Sequence, residues 1–238
     1  MFSSSARIFD ALYSFRDMRD EAQKALTLAR AATTRPIASA LDVGCATGDH
    51  AAVIAKTGVR EVVGLDIDRQ LVALARKKHK ALSFVVGDFT RTKLKRQFDA
   101  IFSFYGVIAY VRTVAGLRLF AANVARHLTP GGVAVIEPWH LRGEWEPAPA
   151  VRHVMTDDFG IARASVATRK KSLVRMDVHY LVASGSRVDH LREVHRVGLF
   201  SREEHIDAFH RAGLAARFGG EGPSGRSVIV AISEPRRR

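Results

Sequence analysis

Three acidic residues stand where apolar runs end. Leu41-Asp42-Val43-Gly44-Cys45-Ala46-Thr47-Gly48 closes one run with an acid and a glycine turn; Asp66, before Ile67, closes a second; Gly87-Asp88-Phe89 closes a third. Glycine at 44 lets the backbone bend and a ligand approach closely. A dinucleotide fingerprint, G-x-G-x-x-G, would cradle a pyrophosphate on a helix N-terminus. The spacing here differs, and Asp42 would repel a pyrophosphate. The same acid suits a cation, such as the ammonium of an amino-acid-like ligand. Asp66, about 20 residues on, is placed to accept two ribose hydroxyls. Asp88 can accept from an adenine amino group while the Phe89 ring supports the base. Ammonium, ribose and adenine together describe S-adenosylmethionine.

These acids need strands to carry them. Residues 6–32 have helical spacing, with Ile8, Leu12 and Phe15 on one face. Beyond them ASALDVG, REVVGLDID, LSFVVGDF, FDAIFSFYG and VAVIEPW read as five strands, with helices predicted at 50–56, 70–78 and 114–127 and a turn at Thr129-Pro130-Gly131-Gly132. Strand and helix alternate and the strands are nearly continuous apolar runs, the pattern of a doubly wound, mostly parallel α/β sheet. After Trp139 the pattern changes. GIARASVAT, SLVRMDVHYLVAS and VDHLREVHRVGLF read as antiparallel strands joined by polar turns. Ser201 is the expected N-cap of a last helix with Glu204 completing a capping box, Gly213 its stop, and SVIVAIS a strand returning antiparallel to the sheet. The expected organisation is an N-terminal helical cap over 1–35, a core over 36–140, an inserted antiparallel sheet over 141–200 and a C-terminal helix and strand over 201–238.

The chain has 238 residues, 47% apolar and 26% charged, which is ordinary for a globular protein with one sizeable core. No stretch approaches the roughly 18 apolar residues of a membrane span. The N-terminus MFSSSARIFDALY has no charged region followed by an apolar one, so no signal peptide is expected. Cys45 is the single cysteine, which excludes an internal disulfide and suits a reducing cytoplasm. The net charge of +13 favours anionic partners. The Lys and Arg are scattered, however, apart from Arg76-Lys77-Lys78-His79-Lys80 and the Arg236-Arg237-Arg238 tail. No appended RNA-binding module is visible, so nucleic acid is not the expected partner, though RNA stays open as an acceptor. No cluster has metal-ligand spacing, and no metal is expected.

From Leu41 to Trp139 the chain resembles the class I S-adenosylmethionine-dependent methyltransferases. Their D/E-x-G-x-G-x-G turn falls at Asp42 to Gly48, with Ala46 in place of the middle glycine, and their two further acids at Asp66 and Asp88. A closer resemblance, from end to end, is to the desosamine-type nucleotide-amino-sugar N-methyltransferases. It rests on Phe9-Asp10-Ala11-Leu12-Tyr13 followed by Arg16-Asp17-Met18 and Glu21-Ala22, on Glu137-Pro138-Trp139, on Arg175-Met176-Asp177-Val178-His179, and on Gly222-Pro223-Ser224-Gly225-Arg226. The resemblance implies a Rossmann-like fold whose inserted sheet serves as substrate lid or dimer contact, and methyl transfer to the amine of a dTDP-linked sugar. It implies cofactor contacts from Asp42, Gly44, Cys45, Ala46, Gly48, Asp66, Ile67, Asp88, Phe89 and Phe104. Tyr13, Arg16, Arg175 and Arg226 are the implied substrate contacts, the arginines as clamps for a pyrophosphate. Tyr110, just past the fourth strand, is the implied contact to the amine. His140, His179 and His195 are further candidates; His179 faces opposite to Val178 and Tyr180, and His195 is expected to serve structure. HLRGEWEPAP at 140–149 and Tyr105-Gly106-Val107 depart from the sugar enzymes, which leaves a sugar hydroxyl or a small amine open as acceptor.

Overall fold

A computed structural model describes residues 5–234. The Arg236-Arg237-Arg238 run lies outside the described residues. The chain starts with a 3-10 turn at Ala6–Ile8 and a short helix α1 (Phe9–Leu12), then breaks before α2 (Met18–Ala32). The sequence predicted one unbroken helix here. The break comes from Asp17, whose side chain accepts the N–H groups of Arg19 and Asp20 and so starts a new helix. Ile8 and Leu12 are buried as expected, but Phe15 lies in the break and is exposed.

The core follows as β1 (Ser39–Val43), α3 (Asp49–Ala55), β2 (Glu61–Asp66), α4 (Arg69–Lys78), β3 (Ser83–Val86), β4 (Phe98–Ser103), α5 (Val114–His127) and β5 (Leu128–Ile136). An inserted sheet of β6 (Ala150–Met155), β7 (Gly160–Lys170), β8 (Leu173–Ser184) and β9 (Arg187–Gly198) comes next, and then α6 (Arg202–Arg211), β10 (Leu214–Glu221) and β11 (Ser227–Ser233). The main sheet has the order β10-β11-β5-β4-β1-β2-β3. Its β5, β4, β1, β2 and β3 are parallel, while β11 and β10 pair antiparallel at one edge. Both faces are covered by helices, because the strands are apolar on both sides: Leu41, Ile101, Ala134 and Ile229 pack on one face and Ala40, Ala100, Phe102, Val133 and Val230 on the other. Among the described residues no helix is long and apolar enough to cross a membrane.

Three boundaries differ from the sequence reading. Thr129-Pro130-Gly131-Gly132 is the beginning of β5 rather than a turn. Its pairing with β4 shifts between Phe98 and Ala100, and Gly131 at φ 78° takes up the extra length. Strands β6 and β10 had no strand signal; both are edge strands, ordered by their neighbours more than by their own pattern. Ser201 and Glu204 do form the capping box, and Gly213 ends the last helix region at φ 79°.

The side chains of β8 point alternately to the two faces of the inserted sheet. Val174, Val178, Tyr180 and Val182 of β8 are buried on the face turned to the core, while Val166 and Leu181 are exposed on the other. Core and insert meet around the 3-10 turn Val107–Val111 that follows β4; Ala109 and Tyr110 pack there with Val174, Val197, Trp139 and Trp145. Gly106 opens that turn at φ 80°, and a Cβ on it would lie 2.7 Å from the Trp139 Cα. Gly106→Ala is expected to cost roughly 2 kcal/mol, about 4–8 °C in Tm, because left-handed strain and backbone crowding add. Gly143, at φ 94° with nothing within 4 Å, bears the strain alone; Gly143→Ala should cost about half as much in the same thermal melt.

Candidate functional site

The carboxyl ends of β1, β2, β3, β4 and β5 converge on one edge of the core. Asp42 pairs across β1 with Gly64 and Phe102 and is 1% exposed. Neither of its oxygens has a partner at good hydrogen-bond geometry, the Ala51 backbone N–H being the donor beside it. Burial pushes its carboxyl up to about 6, partly opposed by nearby His50. A buried carboxylate without a well-placed donor is costly unless a ligand supplies one.

The turn after Asp42 closes tightly. Gly44 and Cys45 donate their N–H groups to the Leu65 carbonyl at 2.7 and 3.1 Å. Gly44 sits at φ 77°, and a Cβ there would lie 2.4 Å from Val107 Cγ2; Gly48, at φ 84°, faces Phe84 in the same way. Ala46, where the family pattern has glycine, takes the left-handed φ of 48° all the same, at a cost of about 1 kcal/mol. Its N–H donates to Asp66 Oδ2 at 2.9 Å, and the Asp68 N–H donates to Asp66 Oδ1 at 2.8 Å. Asp66 is thereby aimed across the turn, with its pKa raised by burial. Cys45 is buried, its thiol pushed well up by burial, and serves as packing.

Beside Asp66 the Ile67 side chain is 49% exposed. Asp88 accepts from the Thr90 N–H and hydroxyl through Oδ1, and its side chain is partly open to solvent. An exposed apolar surface between two acids is what a ribose and a base would cover. Phe89 does not join them. Its ring is buried in the core, 5.0 Å from Phe120. Phe104 also lies inward, stacked on His50 at 4.0 Å.

The other half of the site is held by Glu137, 1% exposed at the end of β5. Its Oε2 accepts the Tyr105 N–H at 2.8 Å; its Oε1 accepts the Ser224 N–H at 2.8 Å and the Ser224 hydroxyl at 2.6 Å. The Gly222-Pro223-Ser224-Gly225 turn is so fixed against the loop after β4, and Arg226 is laid over the Tyr105 ring at 4.8 Å. Arg16 covers the same ring at 3.8 Å. The two differ in how they are engaged. Arg16 is bound to Glu21 through Nε and Nη2, and Glu21 also meets His50 Nε2 at 2.9 Å. Burial opposes that carboxylate's charge, but the hydrogen bonds from His50 and Arg16 outweigh it and hold its pKa below the usual range. Arg226 Nη1 is buried without a hydrogen-bond partner. Burial, with the Arg226 charge nearby, depresses His140 to about 4, so His140 is neutral.

Tyr13 reaches this cluster, edge-on to Tyr105 at 6.0 Å. Burial and the neighbouring tyrosines raise its pKa, so it remains a phenol. Tyr110 stands on the core side of the inserted sheet with its hydroxyl 2.9 Å from His195 Nδ1. Arg175 is not gathered with these residues. It lies on the outward face of β8, 40% exposed, paired with Asp177 at 3.0 Å. His179 shares that face, stacked on His190. Glu137, Tyr105 and Glu193 carry much of the geometry and were not singled out as site residues. For Glu137 and Tyr105 the available signal was position, each directly past the end of a sheet strand.

Residues 40–132 match the model of the family described as "Methyltransferase domain". The chain is 34% identical over 234 residues to the dTDP-3-amino-3,4,6-trideoxy-alpha-D-glucopyranose N,N-dimethyltransferase of Streptomyces venezuelae, covering 95% of this chain and 97% of that protein. Its structure resembles that of Streptomyces venezuelae DesVI with a TM-score of 0.90 at 33% identity, over 96% of this chain and 98% of that one. It also resembles S-adenosylmethionine-bound CalS10, an amino pentose methyltransferase from Micromonospora echinaspora, with a TM-score of 0.84 at 31% identity over 94% and 96%.

The unpaired Asp42 gives the donor half a pH signature. Its folded carboxyl keeps a proton up to about 6, against 3.8 ordinarily. Ionising it therefore lowers the stability of the unliganded protein as pH rises through that window, by on the order of 3 kcal/mol. In urea unfolding at pH 5 and pH 8, Asp42→Asn should lose less stability across the interval than the wild type. An equal loss would show that Asp42 is not buried in charged form without a ligand.

Proposed function

The chain belongs to the S-adenosylmethionine-dependent methyltransferases, among the relatives of the nucleotide-amino-sugar N-methyltransferases, and we propose that its acceptor is the amine of a dTDP-linked amino sugar. The observation that carries this is Arg226: a guanidinium fixed by a Glu137-anchored turn, laid on Tyr105, with a buried nitrogen that lacks a partner. A donor held in that way suits a diphosphate, whose oxygens take planar, charge-assisted hydrogen bonds.

S-adenosylmethionine, when bound, supplies a methyl group already activated by its sulfonium. Asp42 would hold its ammonium, Asp66 the ribose hydroxyls, and Ile67 with Asp88 the base. What remains for the chain is alignment and exclusion of water. The Val107–Val111 turn packs against Gly44 at one end and against the inner face of the insert at the other, so Tyr110 on it would line the space between the held cofactor and an acceptor. Arg226 and Tyr105 would anchor the diphosphate at one end, and Tyr13 and Tyr110 would line the sugar at the other. An amine that arrives protonated must lose its proton before it can attack in line. Tyr110, kept a phenol by burial and by the charges and hydroxyls around it, can accept an N–H from that amine.

Methyl transfer is best followed with labelled S-adenosylmethionine on a panel of dTDP-3-amino and dTDP-4-amino sugars, with a neutral dTDP-sugar, glycine and total RNA alongside. Transfer is expected to the amino sugars. Arg226→Ala should raise the KM for the sugar about 10- to 100-fold, the loss of one charge-assisted contact pair, and leave S-adenosylmethionine affinity by calorimetry within twofold of wild type. Transfer to RNA or glycine alone would sink the sugar reading while leaving the donor half standing. Transfer to the neutral sugar alone would move the acceptor to a hydroxyl.

A further inference from the structure

Behind Tyr110 lies a buried polar chain that alignment alone does not require. Tyr110 Oη is 2.9 Å from His195 Nδ1, and His195 Nε2 is 3.4 Å from Glu193 Oε2. Glu193 Oε1 accepts the Ser5 N–H and the Ser5 hydroxyl, each at 3.0 Å, and the Tyr180 hydroxyl donates to Oε2 at 3.4 Å. Ser5, Glu193 and His195 are each under 5% exposed. Glu193 and His195 are two residues apart on β9, so both point to the core-facing side of the insert. Among the described residues the one ion-pair partner of Glu193 is His195. A carboxylate and an imidazole buried together, without a Lys or Arg on the carboxylate, are poor packing for a sheet that could have used aliphatic residues.

We infer that Tyr110, His195 and Glu193 form a proton relay that takes the ammonium proton of the acceptor, with His195 and Glu193 as positioning residues acting through the Tyr110 hydroxyl. This rests on the amino-sugar reading of the site. With Glu193 Oε2 3.4 Å from Nε2, the carboxylate favours the proton on Nε2, the tautomer whose Nδ1 lone pair faces Tyr110. The acceptor's N–H bond breaks as its proton passes to Tyr110 Oη; the Tyr110 O–H bond breaks as its own proton passes to His195 Nδ1. The products are a neutral amine with a free lone pair, a neutral phenol, and an imidazolium held against the Glu193 carboxylate. No phenolate is formed, which matters because the buried phenol resists ionisation. The other titratable groups facing the relay are Tyr13 beyond α1, Tyr180 on β8, Arg163 on β7, beside Tyr180 and Tyr13, and Asp66 at the end of β2. Histidine at 195 thus has a task beyond the structural one expected from sequence.

The test is the pH dependence of kcat and KM for the amino sugar in His195→Gln, which keeps a hydrogen-bonding side chain but cannot carry the proton. At pH 7 kcat should fall about 100-fold or more, as for loss of a general base, and recover toward wild type as the pH rises to the pKa of the free amine. The acid limb of the profile should move to higher pH, with S-adenosylmethionine affinity unchanged. Tyr110→Phe, which removes only a hydroxyl, should shift the limb in the same direction and serves if His195→Gln does not fold. A folded variant with wild-type kcat and an unmoved acid limb overturns the relay. A fall in kcat that is equal at every pH also overturns it, since that is the mark of packing. A wild type inactive on every amino sugar overturns the acceptor reading, and with it the relay's task.

Discussion

The site depends on one carboxylate, Glu137. Three donors from two loops distant in sequence converge on its two oxygens, and its own backbone continues the sheet, donating to Ser103 and accepting from Gly106. Hydrogen bonds to a charged group contribute about 1.5–3 kcal/mol each, and their loss would leave buried N–H groups unpaired. The turn that carries Arg226 and the loop that carries Tyr105 therefore have one arrangement relative to each other. The stack of two guanidinia on the Tyr105 ring and the start of the 3-10 turn bearing Tyr110 both depend on that arrangement.

The donor side is organised by the opposite condition. Asp42 is buried with no well-placed donor, whereas its neighbours are satisfied: Asp66 by two backbone N–H groups, Glu21 by Arg16 and His50. Completing the polar partners around one acid but not that acid carries a cost in the unliganded state. Arg226 Nη1 is the same feature with the other sign. Among the described residues, the buried side-chain atoms without a hydrogen-bond partner thus include both oxygens of one acid and a nitrogen of one arginine, both near the strand ends.

The inserted sheet shows how a pattern with period two separates function from surface. Tyr180, Glu193 and His195 face inward and form a polar interior; Arg175, Asp177, His179, His190 and Arg192 face outward and bond to one another. Arg175 and His179 lie in the same short segment as Tyr180, yet one residue of offset decides which side each serves. Segment-level likeness located the insert but could not say which of its residues look into the site.

The alternating core, the order of its parallel strands along the chain, the antiparallel insert and the three strand-end acids were legible in the residues, because period, apolar runs and strand-end position are local properties. So were the cap at Ser201 and the stop at Gly213, which are chemistry within one turn. The break at Asp17 was not, since the helical spacing of apolar residues happens to continue across it. Nor were the edge strands β6 and β10, or the start of β5 in a Pro-Gly-Gly stretch, since pairing with a neighbour settles those. That Phe89 turns to the core while Ile67 stays exposed, that Glu137 joins two loops, and that His195 meets Tyr110 came from long-range packing. Each of these is a contact between residues far apart in sequence, and burial there depends on what the rest of the chain brings to the same place.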